Sequence, residues 1–314
     1  MDIETSMSRK NNVQVICFGE MLWDNFPSGK KPGGAIMNVA YHLKNLGVNS
    51  HLISRVGADQ NGKELIQVLE QLGIDDNYVQ VDPEHNTSTV EVHVDEDNEV
   101  TYEIVQPVAW DFIELEPTHT RLVVQADALV YGSLSGRNET SRKTLAHLLE
   151  LAPYHVMDVN LREPYYEEAY ITTLLHKTDL LKLNLDELSI ISNWFSKTCK
   201  TEADRIDLLQ NKFNIPEMVV TKGSKGASYY SNQSAYHWRA YDIKVKDTVG
   251  SGDSFLAGLL SMKLSNEYIY DTLDFAVALS AYITTQEGAC PVYEKSTVNR
   301  FMMKHKKSWS ISDQ

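Results

Sequence analysis

A nine-residue stretch in the carboxy-terminal part of the chain carries the residue types that chemistry at a phosphate group requires. It runs DTVGSGDSF, from Asp247 to Phe255, and holds two glycines between two aspartates. Without side chains at Gly250 and Gly252, the backbone N–H groups here can converge on one anionic oxygen. The apolar run FLAGLLSMKL that follows predicts a helix, whose amino-terminal end attracts negative charge. The stretch therefore predicts an anion hole formed by the amides of residues 250–252.

Asp253 lies in the first turn of this predicted helix. An acid there has a simple structural explanation, because it stabilises the helix dipole. Beside an anion hole, however, the carboxylate is also placed to accept a proton from a hydroxyl that attacks a phosphate. We therefore interpret the stretch as a site for phosphoryl transfer.

Composition narrows the class of protein. The chain has 314 residues and a formal net charge of −14, which argues against a nucleic-acid partner, since such binding depends on Lys and Arg. The first twelve residues lack the apolar segment of a signal peptide, and no run approaches the roughly 18 apolar residues of a membrane span, so we expect a cytoplasmic protein. An anionic ligand would need a locally positive site, built from backbone amides, a metal or one lysine.

Short apolar strands alternate with amphipathic helices along most of the chain. VQVICFG predicts a buried strand, and AIMNVAYHLKNLG predicts the helix that follows it. The alternating run YDIKVK predicts another strand, directly before the glycine loop. This pattern is typical of an α/β fold with a doubly wound, mostly parallel sheet and helices on both faces. With no repeat and no long linker, residues 1–314 are expected to form a single domain.

The segment STVEVHVDEDNEVTYEIVQP departs from that pattern and predicts a β-hairpin. Its paired apolar positions are Val90, Val92 and Val94 on one strand and Val100, Tyr102 and Ile104 on the other. An isolated hairpin is marginal in water, so it must cover a ligand, the main domain or a second subunit. Together with the stretch EMLWDNFPSGKKPGG, taken as irregular, it predicts a small β lid from segments of about 21–33 and 86–111.

Polar residues follow several of the predicted strands. They are Asp24 after the first strand, then Asp158, Asn160 and Arg162, then Asn184 and Glu187, then Thr221, Lys222 and Gly223. Each residue alone is more often a cap or a turn residue than a ligand. Because ligands of open parallel sheets bind beyond the carboxyl ends of the strands, their convergence predicts one extended cleft.

Two nucleotide-binding motifs are matched only in part. GADQNGKE has Glu64 where a phosphate-binding loop needs Ser or Thr to hold magnesium. GSGDSF has Phe255 at the third glycine of the dinucleotide motif and lies far from the first strand. A nicotinamide-dependent oxidoreductase is therefore disfavoured.

Five motifs, in the same order along the chain, resemble those of the PfkB, or ribokinase-like, carbohydrate kinases. DTVGSGDSFLAGLL resembles the family motif D-T-x-G-A-G-D, with Ser251 in place of the commoner alanine. The others are PGGAIMNVAYHLKNLG for G-G-x-x-x-N-x-A, SRVGADQNG for S-x-V-G-x-D-x-x-G, KLNLDE for N-x-x-E and TKGSKGA for T-x-G-x-x-G.

The resemblance implies a role for each matching residue. Asp253 would be the catalytic base, and Gly250, Ser251 and Gly252 would form the anion hole. Sugar hydroxyls would be bound by Asp24, Gly33, Gly34 and Asn38. Asn184 and Glu187 would order Mg²⁺ and its waters, and Thr221, Gly223 and Gly226 would line the ATP site. Asp247, with the carbonyl oxygen of Val249, would hold a potassium ion beside the anion hole. A homodimer formed through the lid is also expected.

Two further stretches bear on the substrate. CFGEMLWDNFP and DVNLREPYY resemble the fructokinase branch, in which Arg162 would face the sugar. A similar D-x-N-x-R stretch occurs in 2-keto-3-deoxygluconate kinases. The expected activity is therefore ATP-dependent phosphorylation of fructose to fructose 6-phosphate. The alternatives are another sugar kinase of the family or a catalytically silent, sugar-binding regulatory homologue.

Overall fold

A computed structural model describes residues 12–26, 29–94, 100–231 and 234–309 of the chain. The strands are β1 (Gln14–Phe18), β2 (Leu22–Phe26), β3 (Gly29–Gly33), β4 (Asn49–Gly57), β5 (Val79–Asp82), β6 (Thr89–Val94), β7 (Val100–Ile104), β8 (Ala128–Gly132), β9 (His155–Asp158), β10 (Leu180–Asn184), β11 (Glu217–Thr221), β12 (Ala227–Ser231) and β13 (Ala235–Trp238). The helices are α1 (Ala35–Asn45), α2 (Gln60–Leu72), α3 (Pro117–Val124), α4 (Glu139–Leu149), α5 (Glu168–Leu175), α6 (Leu185–Phe195), α7 (Glu202–Phe213), α8 (Ser251–Lys263), α9 (Ile269–Thr284) and α10 (Lys295–Trp309).

The main sheet has nine strands in the order β13-β12-β11-β10-β9-β8-β1-β4-β5. Neighbouring strands pair in parallel from β11 to β5. At the other edge, β12 pairs antiparallel with both β11 and β13. This is the predicted α/β fold with a doubly wound, mostly parallel sheet, and the prediction is confirmed.

Each face of the main sheet carries its own apolar core. Along β1, Val15 and Cys17 pack into one cluster and Ile16 and Phe18 into the other, as the two-residue period of a strand requires. The first cluster takes side chains from α1, α2, α8, α9 and α10, and the second from α3 to α7. Helices therefore cover both faces, and none within the described ranges is long and apolar enough to cross a membrane.

A second, four-stranded sheet has the order β3-β2-β6-β7. Its hairpin pairs Val90 with Ile104, and it has the predicted register throughout, with 92 opposite 102 and 94 opposite 100. The connecting residues DEDN lie outside the described ranges. The alternation of apolar residues was thus sufficient to predict the pairing.

The stretch EMLWDNFPSGKKPGG is not irregular, and this prediction was wrong. It forms β2 and β3, which pair antiparallel with Trp23 opposite Pro32. Pro32 is tolerated because β3 lies at the edge of the second sheet. Pairing of β2 with β6 and burial of Leu22 and Trp23 stabilise strands that local propensity alone disfavours.

The predicted strand YDIKVK is also absent, because residues 241–246 pair with no strand. Tyr241 is buried and its hydroxyl donates a 2.6 Å hydrogen bond to Asp274 of α9. The N–H groups of Lys246 and Asp247 both donate to the carbonyl oxygen of Thr284, at the end of the same helix. The sheet therefore ends at β13, and the glycine loop follows an extended segment that runs along α9.

Candidate active site

Asp253 lies in the first turn of α8, next to α1. Asn38 of α1, itself buried, donates a 2.8 Å hydrogen bond from Nδ2 to Oδ2 of Asp253. Burial raises the pKa of Asp253 from 3.8 to about 6, and the negative charge of Asp158 acts in the same direction. Lys182, Asn38 and Arg162 oppose this rise in the pKa, so the carboxylate is the main form at neutral pH.

The glycines on either side of Ser251 each have a close neighbour. Gly250 has a φ of +74°, and a Cβ there would lie 2.7 Å from the Cβ of Ala289. A Cβ at Gly252 would lie 2.8 Å from Nζ of Lys182. Within the described residues, the N–H groups of Gly250 and Gly252 donate no hydrogen bond, whereas that of Ser251 donates to the carbonyl oxygen of Thr248 at 3.2 Å. Two of the three predicted anion-hole amides are thus available in this state.

The candidate sugar-binding residues come from both sheets. Asp24 was expected beyond the end of β1 in the main sheet, and it lies instead in β2 of the second sheet. A side chain at Gly33 would overlap Oδ2 of Asp24, and Gly34 has a φ of +110° that favours glycine. Burial raises the pKa of Asp24 from 3.8 to about 6, against the charge of Arg162.

Arg162 follows β9 and is exposed. Its guanidinium has no hydrogen bond to any described residue, yet its charge lowers the pKa values of Glu20, Asp24 and Asp253. The arginine therefore lies among three carboxyl groups, and its donors remain available to a ligand.

A cavity of about 430 Å³ adjoins the glycine loop. The predicted nucleotide residues Thr221, Gly223 and Gly226 lie at its wall, together with Ser251 and Gly252. Its apolar lining includes Ile243, Val245, Phe255, Val277 and Ala281. Polar groups at one end and an apolar lining suit a phosphate chain attached to a flat aromatic base.

Asn184 and Glu187 form a capping box at the start of α6. The side chain of Asn184 accepts a 2.9 Å hydrogen bond from the Glu187 N–H. The two carboxylate oxygens of Glu187 accept from the N–H groups of Asn184 and Leu161, at 2.7 and 3.0 Å. In the described ranges, no three His, Cys, Asp or Glu side chains form a metal-binding group. Each carboxylate oxygen of Glu187 has a further lone pair, so the residues present fit Mg²⁺ held through waters and phosphate oxygens.

Asp247 connects the glycine loop to the loop after α9. One of its carboxylate oxygens accepts from the Val249 N–H and the other from the Gly288 N–H, both at 3.0 Å. The carboxylate of Asp247 therefore joins these two loops through backbone hydrogen bonds. Carboxylate and backbone carbonyl oxygens are the ligands that hard cations prefer.

Three features of this region are not predicted by the sequence motifs. Glu20 is 2% exposed, with Oε2 unpaired among the described residues, and burial raises its pKa from 4.5 to about 7. Lys182 is buried beside Gly252. The stretch DLLKLN predicted a strand at this point but no role for the lysine. Ile243 and Val245 form part of the apolar cavity wall, whereas the run YDIKVK that contains them predicted a strand. The one sequence signal for Glu20 is its place in the stretch CFGEMLWDNFP, where Gly19 and Glu20 precede Asp24.

The chain has an α/β fold, and its site is that of a phosphotransferase. Residues 12–296 match the pfkB family carbohydrate kinase model, and the chain belongs to this family. It is 31% identical to a fructokinase of Escherichia coli over 301 residues, which cover 88% of this chain and 95% of that enzyme.

Solved structures agree with this assignment. A fructokinase double mutant from Vibrio cholerae, with fructose, ADP and a potassium ion bound, superposes with a TM-score of 0.80 at 26% identity. The match covers 94% of this chain and 100% of that chain. An aminoimidazole riboside kinase from Salmonella enterica shares the fold at a TM-score of 0.77 and 24% identity. The protein is a carbohydrate kinase, and the fold alone does not select the sugar.

Proposed function

We propose that this carbohydrate kinase phosphorylates fructose at its 6-hydroxyl with ATP. The observation that carries the proposal is the Asn38–Asp253 hydrogen bond beside the free amides of the glycine loop. Asp253 accepts the proton of the sugar hydroxyl as the hydroxyl oxygen bonds to the γ-phosphorus. The bond from that phosphorus to the oxygen bridging the β- and γ-phosphates breaks, and ADP leaves. The amides of Gly250 and Gly252 stabilise the charge that develops on the phosphoryl oxygens.

The sugar lies between the two sheets in this proposal. Asp24, with Gly33 leaving the space beside it clear, accepts hydrogen bonds from sugar hydroxyls, and Arg162 donates to sugar oxygens. The second sheet acts as a lid on a single kinase domain that spans residues 1–314. The bound fructose in the related structure from Vibrio cholerae supports this choice of sugar.

Metal ions complete the proposed site. Mg²⁺ supplies charge neutralisation at the phosphate oxygens when bound. Asn184 and Glu187 would order its waters, because their hydrogen bonds to backbone N–H groups fix both side chains. Asp247 and the Val249 carbonyl oxygen would hold potassium, and the potassium ion in the related structure supports this assignment.

One experiment tests the substrate: coupled measurement of ADP release over a panel of fructose, other hexoses, pentoses, nucleosides and 2-keto-3-deoxygluconate. We expect the highest kcat/KM for fructose. A preference for the keto-sugar acid would replace this proposal, and the exposed guanidinium of Arg162 is the feature that would bind the acid's carboxylate. Absence of ADP release with every sugar, in a folded protein, would indicate a silent regulatory homologue.

We also propose a homodimer in which the second sheets of two copies pair. The strand β7 is an edge of that sheet, and an edge strand is a template for pairing with another chain. Sedimentation at micromolar concentration should give twice the chain mass of 35.6 kDa. A monomeric mass would contradict the dimer and leave the kinase assignment intact. Because the proposed substrates are ATP and a free sugar, we infer a cytoplasmic location with no nucleic-acid or membrane partner.

A further inference from the structure

A buried ion pair lies beneath the glycine loop. Lys182 of β10 is directly opposite Asp158 of β9, and its Nζ donates 2.8 Å hydrogen bonds to both carboxylate oxygens. The side chain of Lys182 is 8% exposed and that of Asp158 is not exposed at all. Burying two charges is expensive, and such a pair often contributes little net stability. Its position next to the site therefore calls for a functional explanation.

The ammonium of Lys182 lies against Gly252. The separation between Nζ and the position of a Cβ at Gly252 is 2.8 Å, so any side chain there would have to displace the ammonium. Within the described residues, this ammonium donates two hydrogen bonds, and Asp158 accepts both. A lysine ammonium has three N–H donors, so one remains for a ligand at the loop.

Lys182 is charged in this setting. Its pKa is raised, because Asp158, Asp253 and Glu187 together outweigh the effect of burial, which lowers it. In a chain with a net charge of −14, a fixed cation at the floor of the site provides the local positive potential that a phosphate requires.

We propose that Lys182 is a catalytic residue whose remaining N–H and positive charge stabilise the phosphoryl group during its transfer. This role rests on the proposed phosphoryl transfer but does not depend on which sugar is the acceptor. Asp158 holds the ammonium in place and leaves it protonated throughout. Glycine at position 252 is required because the ammonium and the adjacent amide must approach the same phosphoryl oxygens.

Lys182→Met tests the proposal, and two further variants isolate the effect of charge. Lys182→Met/Asp158→Asn removes both members of the pair, so that no buried charge is left without a partner. Lys263→Met is the matched control, because Lys263 forms a partly buried ion pair with Glu217, at 2.5 Å, at the far end of α8. For each variant, the measurements are kcat, melting temperature and the affinity for ADP with and without fluoroaluminate, a phosphoryl mimic. The sugar is one that the wild type phosphorylates, at a saturating concentration.

We expect kcat to fall about 10²-fold in Lys182→Met and to stay low in the double variant, even where its melting temperature recovers. Fluoroaluminate should tighten ADP binding in the wild type and in Lys263→Met, and much less in both Lys182 variants, with the affinity for ADP alone unchanged. A double variant with kcat within threefold of the wild type, or one that does not fold, would assign the pair to structure and overturn the proposal. If fluoroaluminate did not tighten ADP binding in the active wild type, the proposed role of Lys182 would also be overturned. The sugar-kinase assignment would stand, because ADP release tests it independently.

Discussion

Nδ2 of Asn38 donates a 2.8 Å hydrogen bond to Oδ2 of Asp253, joining two helices whose contacting residues are 215 positions apart. The amide orientation is set at its other end, where Sγ of Cys290 donates to Oδ1 of Asn38 at 3.2 Å. An amide fixed in this way presents its N–H to the carboxylate and favours the charged form of Asp253. Asp253, the proposed base, and Asn38, a proposed sugar ligand, are therefore positioned as one unit.

Asp253→Asn should reduce kcat by about 10²–10⁴-fold, because asparagine keeps the size of the side chain but cannot accept the proton. Binding of sugar and ATP should survive, since the loop amides and other contacts remain. If Asp253 served only at the helix start, Asn would replace it with little loss of kcat. Measuring kcat and melting temperature on the same preparation separates these cases, and retention of more than a tenth of wild-type turnover would contradict the assignment.

The activity should decline on the acid side as the pH falls through about 6, the pKa of Asp253. The base acts as a carboxylate, so protonation below that pH removes it. Asn38→Ala deletes a hydrogen bond that lowers this pKa, while Asp158, Lys182 and Arg162 still act on it. The acid limb of the kcat/KM profile should therefore move to higher pH in the variant. A limb that stays in place would show that Asn38 does not tune the base.

Arg162→Ala should raise the KM for fructose while the KM for ATP stays near its wild-type value. Loss of the guanidinium leaves sugar oxygens without a donor in a closed site, at a cost of roughly 1–3 kcal/mol. Steady-state kinetics with each substrate varied in turn provide the measurement. Unchanged fructose kinetics would place this exposed arginine outside the sugar site.

Potassium should raise the turnover, and Asp247→Asn should abolish that response. The Asp247 carboxylate joins Val249 to Gly288, so a cation bound there would hold the glycine loop without touching the sugar. The rate is compared in potassium and in tetramethylammonium at equal ionic strength. Equal rates in the two salts would remove the potassium site from the proposal.

The hairpin and the main sheet could be predicted because local patterns decide them. Alternation fixes which residues of the hairpin face each other. The same alternation in YDIKVK was misleading, because its apolar side chains line the cavity beside α9 instead of a sheet. Periodicity identifies a buried face, but not the element that covers it.

Burial of charge could not be predicted from the motifs. Lys182 and Asp158 lie 24 residues apart and meet only through the pairing of β9 with β10. Asp24 belongs to the second sheet because β2 pairs with β6, which is distant in sequence. Such contacts depend on the topology. The sequence therefore identifies the polar residues but not the residues with which they pair.

Glu20 provides a prediction about stability. Its pKa is raised from 4.5 to about 7 by burial, so the folded protein retains a proton that the unfolded chain loses. The contribution of protonated Glu20 to the free energy of unfolding is fully present below pH 4.5 and is lost as the pH rises through about 7. The loss amounts to roughly 3 kcal/mol at most. Glu20→Gln, which cannot ionise, should therefore melt higher than the wild type at pH 8 and lose that advantage at pH 5. The other titrating groups are common to both proteins, so the difference in melting temperature isolates Glu20. A variant with no greater advantage at pH 8 than at pH 5 would show that the Glu20 carboxylate gains a partner when it ionises, with Arg162 the nearby cation.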